Sequence, residues 1–128
     1  MKPGGTLYLL EGHPSLICLD ENTPELRPAY NWRTPQDQPF ISDNEQTYTG
    51  DQDILTNTRN YEWIHPLSDI INGLINAGLR LEWLHEHEEL SWQFAKIMVE
   101  KKGKRVSWIL PPGFARLPLS FSLRAAKV

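Results

Sequence analysis

Residues 66–85, PLSDIINGLINAGLRLEWLH, change their hydrophobic period once, and that change decides the fold class. Leu67, Ile70, Ile71, Leu74 and Ile75 fall three or four residues apart in turn, which draws one apolar stripe along a helix. Pro66 suits the first helical position, where its missing N–H costs nothing. Asp69 lies in the first turn, favourable to the helix dipole, and Gly78 stands where a left-handed C-cap belongs. From Leu79 to His85 apolar and polar residues alternate, as in a strand with one covered face. Helix, glycine, strand is half of an α/β unit.

Upstream, Thr6–Leu10 (TLYLL) is a short apolar run introduced by the turn Pro3-Gly4-Gly5. It predicts a strand buried on both faces, as in a parallel sheet. Residues 18–60 carry Pro24, Pro28, Pro35 and Pro39 among many Asp, Asn, Thr and Gln, and show no helical period. Extended pieces are expected around Phe40-Ile41 and Thr47-Tyr48-Thr49, joined through Asp43-Asn44 and ended by Gly50-Asp51. A connection this long is a lid or binding loop; Tyr30, Trp32, Phe40 and Tyr48 argue against disorder. Downstream, Ser91 caps a predicted shorter helix carrying Trp92, Ala95, Met98 and Val99, with Gly103 beyond its end. Val106–Leu110 and the alternating run Leu117–Ala125 are predicted strands, separated by Pro111-Pro112-Gly113. The organisation is one domain: strand and rim (1–17), lid-like excursion (18–60), then helix-strand-helix-strand (61–128).

Composition bounds the function. At 128 residues, with 40% hydrophobic and 23% charged side chains, the chain supports one core and fits neither a disordered nor a membrane class. A net charge of −3 and a pI near 5.8 argue against a nucleic-acid binder, which needs a basic face. Residues 1–64 hold 4 basic and 10 acidic side chains and residues 65–128 hold 9 and 6, so the halves carry −6 and +3 and could attract one another. With Cys18 as the single cysteine, neither an intrachain disulfide nor a cysteine-built zinc site can form. No apolar run is long enough for a membrane span or a secretion signal, and a cytoplasmic location is expected.

Four blocks taken in order carry a family resemblance. They are Lys2-Pro3-Gly4-Gly5-Thr6-Leu7-Tyr8-Leu9, Tyr61–Ile71 (YEWIHPLSDII), Gly78-Leu79-Arg80-Leu81-Glu82 and Leu117–Ala125 (LPLSFSLRA). Together they resemble the C-terminal part of class I S-adenosylmethionine-dependent methyltransferases of the bacterial small-molecule type. The resemblance implies a mixed, Rossmann-like sheet whose last strand is antiparallel, and transfer of a methyl group to a small-molecule acceptor. It begins at the family's fifth strand. The family grips its cofactor with a glycine-rich loop, because only glycine lets the backbone approach the ligand closely. The glycines at 4, 5, 12, 50, 73, 78, 103 and 113 contain no Gly-x-Gly pair. S-adenosylmethionine, the cofactor of the intact family, is therefore not expected to bind this sequence alone. The cofactor-holding strands are expected outside it, leaving a segment inactive by itself.

Open α/β sheets place ligands outside the carboxyl ends of their strands. His13, just past the first strand, and His65, ahead of the helix, are the candidate proton acceptors. The competing readings are a chain reversal at His13-Pro14 and an ordinary helix cap at His65. Glu11, Trp32, Glu62 and Trp63 are the candidate substrate-binding residues; the remaining tryptophans, 83, 92 and 108, are expected as core and loop anchors. His85-Glu86-His87-Glu88-Glu89 offers two imidazoles at strand spacing but no third ligand, so a solvated strand end is expected and no metal. Lys101-Lys102-Gly103-Lys104-Arg105 reads as a solvated helix end. Because Thr6–Leu10 should lie inside a sheet, its open side predicts a homodimer or higher oligomer paired through that edge. Beside the methyltransferase segment, a non-catalytic small-molecule binding module and a structural or interaction subunit remain open.

Overall fold

The computed structural model describes residues 1–43 and 59–128. In chain order the elements are β1 (Thr6–Gly12), α1 (Pro14–Ile17), β2 (Phe40–Asp43), β3 (Arg59–Glu62), α2 (Leu67–Asn76), β4 (Leu79–His87), β5 (Val99–Lys101), β6 (Ser107–Ile109) and β7 (Ser120–Lys127). The protein is mixed α/β, with a three-stranded sheet β1-β7-β4 and two-stranded ribbons β2-β3 and β5-β6.

The last strand is the middle of the main sheet. β7 runs antiparallel to β1 on one side and to β4 on the other, so β1 and β4 point the same way. Pairing on both edges explains its burial: Phe121, Leu123 and Ala125 are fully enclosed, and Ser120 and Ser122 are buried on the opposite face. The registers put Leu9 and Leu84 beside Leu123, and Glu11 and Glu86 beside Phe121. A bulge at Leu81/Trp83 bends β4.

β1 departs from the sequence expectation. It is an edge strand in antiparallel pairing, and its residues alternate between half-buried and exposed, with Tyr8 and Leu10 open to solvent. An apolar run does not say which of its faces finds a covering layer, and here only the Leu7 and Leu9 face does. α2 forms as its stripe requires, with Pro66 as the N-cap residue rather than the first helical one. Gly78 adopts φ +79° beyond Ala77 and its N–H bonds the Ile75 carbonyl, closing the helix before β4 begins.

The predicted second helix is absent. Residues 91–98 form an irregular segment that feeds β5. The Lys96 N–H, which a helix would spend on Trp92, bonds the Glu21 carbonyl instead, while Leu90 exchanges two backbone bonds with Trp108. β-Branched Val99 is drawn into the ribbon with β6. Ala95 and Met98 still reach the core, where they pack with Leu16, Leu26, Leu90, Leu110 and Leu119. The basic run is accordingly no helix end. Lys101 closes β5 and pairs with Glu89 at 2.9 Å, and exposed residues 102–105 make the ribbon turn.

The excursion is folded where it is described. Leu19 and Pro28 form an antiparallel bridge, and β2 pairs with β3, whose start at Arg59 moves the expected boundary at 61. Thr47-Tyr48-Thr49 and Gly50-Asp51 lie outside the described residues. Arg33 clasps Asp69 through two bonds of 2.8 Å, fastening the excursion to α2.

Two tests follow from this packing. Leu123→Ala lowers the unfolding free energy measured in urea by about 2–5 kcal/mol, whereas Leu10→Ala on the exposed face changes it by less than about 0.5 kcal/mol. The Arg33 hydrogen bonds hold the Asp69 carboxyl below the usual 3.8, so the contribution of this pair is complete above that pH and is lost as pH falls through the lowered value. Asp69→Asn therefore loses melting temperature less steeply than the parent on acidification below pH 3.8 in circular-dichroism melts.

Candidate small-molecule site

Where β1 ends, the chain turns sharply. His13 stands between β1 and α1, and its Nδ1 accepts the Ser15 N–H at 3.2 Å while Nε2 lies 2.6 Å from Glu86 Oε2. A backbone N–H can only donate, so Nδ1 is the acceptor and the ring proton sits on Nε2, pointing to the carboxylate. His13 is buried, with its ring edge-on to Phe121. Both nitrogens are engaged in holding the turn and in tying it to β4.

Beside that turn opens a cavity of about 580 Å³, within the span usual for small ligands. Its floor includes Leu9, Gly12 and Phe121 of the main sheet; Ile70 of α2 borders it, which sets the helix over this face. Tyr30, Phe40, Trp63 and Phe94 supply further rings. Tyr30 and Phe40 meet edge to face at 5.0 Å, and the Trp63 indole is fixed by a 3.1 Å bond from its Nε1 to the Gln36 carbonyl. Glu11, Glu21, Glu62 and His65 bring the titratable groups.

The structure thus gathers Glu11, Glu62, Trp63 and His65 around one cavity, although 51 positions separate Glu11 from Glu62 in the chain. His65 is exposed and makes no hydrogen bond to a described residue; Pro66, not His65, occupies the cap position. His13 backs the cavity rather than lining it. Trp32 lies elsewhere: it is exposed, with the Arg33 guanidinium 4.6 Å above its ring. That stacking is the ordinary preference of a guanidinium for an indole face, and it removes Trp32 from the set.

Sequence reasoning missed Thr34. This buried residue donates its N–H to the Ile64 carbonyl at 3.0 Å and accepts the Ile64 N–H on Oγ1 at 2.8 Å. The reciprocal pair stitches the excursion to the approach of α2 and so fixes two walls of the cavity together. A threonine before a proline in a polar stretch carries no signal of such a role. Glu21, Phe94 and Phe121 were equally invisible as site residues, because their proximity is made by pairings and turns far apart in the chain.

The run His85–Glu89 holds no metal cage. His87 Nε2 lies 2.7 Å from Ser122 Oγ, Glu86 serves His13, and no group of three potential ligands occurs among the described residues. The strand–glycine–helix turn at Gly12 is the one place shaped like a nucleotide cradle, and it does not fit one. A Cβ there would meet the Trp92 ring at 3.2 Å, so the backbone approach is already occupied by this chain. Gly4 and Gly113 lie in turns and Gly73 inside α2, each bordering open space.

Comparison with known proteins finds no match among family models, curated proteins or solved structures.

The two histidines separate in a stability measurement. His13→Ala removes a cap and a buried hydrogen bond and lowers the urea unfolding free energy by about 1–2 kcal/mol. His65→Ala leaves it within about 0.5 kcal/mol, as expected of an exposed residue that makes no hydrogen bond to a described residue.

Proposed function

We propose that this chain is the acceptor-side part of a class I S-adenosylmethionine-dependent methyltransferase, and that the 580 Å³ cavity receives the small-molecule methyl acceptor. The observation that carries the reading is the strand arrangement: β1 and β4 run the same way, α2 leads into β4, and the closing strand lies antiparallel between them. An antiparallel last strand is what the sequence resemblance implies; the two ladders it makes here are both antiparallel. The cavity's position supports it further, since it opens at the carboxyl end of β1, where open α/β sheets bind their ligands.

Each residue then has a role open to it. Phe121, Tyr30, Phe40 and Trp63 enclose the apolar body of the acceptor and exclude water. Glu11 and Glu62 orient its polar end. His65, exposed at the cavity and without a hydrogen bond to a described residue, takes the proton that the acceptor atom releases as it gains a methyl group. His13 acts at one remove, fixing the turn through Ser15 and Glu86. In this reading the methyl donor is held by a cofactor-binding half that this chain complements.

A second reading, a module that oligomerises through its sheet, is favoured by the contrast between the two sheet edges. β4 presents Arg80, Glu82 and Glu86 and a bulge, devices that discourage strand addition. β1 presents the flat apolar run Thr6–Leu10 without a charge or a bulge. In the first reading this edge receives the rest of a methyltransferase sheet; in the second it receives another copy.

Calorimetry separates the two. S-adenosylmethionine titrated into the chain alone gives no micromolar binding. Mixing with the four-strand cofactor-binding half of a class I methyltransferase produces methyl transfer that His65→Ala reduces by at least about tenfold. Micromolar binding to the chain by itself would overturn the acceptor-side assignment. A stable dimer in sedimentation, with slow amide exchange confined to Thr6–Leu10 and no activity on mixing, decides for the second reading.

A further inference from the structure

Two sets of acidic side chains stand out among the described residues. Asp69, Glu82, Glu86 and Glu89 each meet a basic partner, respectively Arg33, Arg124, His13 and Lys101, at 2.9 Å or less. Glu11, Glu21 and Glu62 make no ion pair or side-chain hydrogen bond with a described residue, and these three share one cavity. No lysine or arginine is among the cavity's described lining residues. Arg33, on the excursion nearby, has both arms committed to Asp69 and its plane stacked on Trp32.

Around the three carboxylates stand the rings of Tyr30, Phe40, Trp63, Phe94 and Phe121. The two features select the same chemistry. A carboxylate accepts hydrogen bonds and repels an anion, and aromatic faces attract a cation through their quadrupoles. Rings also cover flat apolar surface at little entropic cost. All three carboxylates are exposed, so their attraction for a cation is that of a wet site and is screened by salt.

We infer that the cavity takes a small molecule bearing a protonated amine next to a flat apolar group. The inference rests on the acceptor-pocket reading and narrows its substrate class to amines. Glu11 at the end of β1 and Glu62 at the end of β3 grip the ammonium from opposite elements, with Glu21 contributing at the excursion side. An anionic acceptor of the same shape is rejected by three uncompensated charges.

Three probes of matched size test this on the whole chain without any methyl donor: 2-phenylethylamine, 2-phenylethanol and 3-phenylpropanoate. Binding is followed by calorimetry and by amide chemical shifts. The amine is expected to bind at least about tenfold more tightly than the alcohol, and the carboxylate more weakly than either. Glu11→Gln and Glu62→Gln each weaken the amine by about threefold or more and leave the alcohol unchanged, while Glu25→Gln, outside the cavity, moves neither. Raising salt from about 0.05 to 0.5 M weakens the amine and spares the alcohol, a measurement on the unaltered chain that stands even where a variant fails to fold. Equal binding of amine and alcohol, tighter binding of the carboxylate, no binding of the amine, or salt-independence overturns the inference. Because no donor is present, amine binding without methyl transfer on complementation would refute the transferase reading and leave this one standing.

Discussion

Everything in the main sheet hangs on β7, because it supplies both ladders. A strand hydrogen-bonded on each edge has no backbone group left for water, and its side chains are enclosed by whatever its neighbours bring. Hence the complete burial of Phe121, Leu123 and Ala125 in a chain whose other strands are half-exposed. β1 and β4 share no ladder; each takes its register from β7, and they meet through side chains such as Tyr8 and Trp83, whose rings lie edge to face at 5.8 Å. The position of Glu11 next to Phe121, and of Glu86 on its other side, is a consequence of those two registers. So is the 2.6 Å approach of Glu86 to His13 across 73 positions of sequence. A slip of one residue in either ladder would turn Phe121 away from the cavity it floors.

The second core has a different logic. Leu16, Leu26, Leu90, Ala95, Met98, Leu110 and Leu119 come mostly from segments without regular structure, so the backbone there must find its partners outside helices and ladders. It does so by isolated exchanges: Leu90 with Trp108, Lys96 with Glu21, Asp20 with Arg27, and Thr34 with Ile64. All but the Asp20–Arg27 exchange fasten stretches distant in sequence. The cavity lies between this irregular core and the sheet, bordered by Leu19 and Phe94 from one and Leu9 and Phe121 from the other. Its shape is therefore set by a few hydrogen bonds as much as by packing, and Thr34 matters because it makes two of them.

What the sequence discloses divides along the same line. α2, Gly78 and β4 are legible because their pattern is local: period, cap and alternation are all satisfied within the segment itself. The closing strand is legible from the alternation in Leu117–Ala125, though it runs Ser120–Lys127 and its place at the centre of the sheet is not, since alternation fixes faces and says nothing of neighbours. Residues 91–98 mislead for the opposite reason. Their helical spacing is real and still buries Ala95 and Met98, but the Lys96 N–H has a better partner in Glu21 than a helix could offer. At the cavity, Glu11, Glu62, Trp63 and His65 come from reasoning about strand ends and helix entry, which is again local. Trp32 fails because its neighbour Arg33 is drawn to Asp69 and carries the stacking with it. Glu86 and Thr34 owe their positions to pairings that no window of sequence contains.

The uneven charge acquires a different meaning from the one composition alone invites. If the acidic first half and basic second half attracted one another, ion pairs crossing between them would join acids of the first to bases of the second. Among the described residues the pairs that cross are Arg33 with Asp69 and His13 with Glu86, both with the signs reversed. Among the described residues, no acid of the first half pairs with a base of the second. Glu11, Glu21 and Glu62 all belong to that half, and the fold brings them to the same cavity. Gathering like charges at one cavity opposes folding through their mutual repulsion. A ligand of opposite charge would relieve that repulsion on binding, so affinity for a cation and the cost of the empty cavity have the same origin.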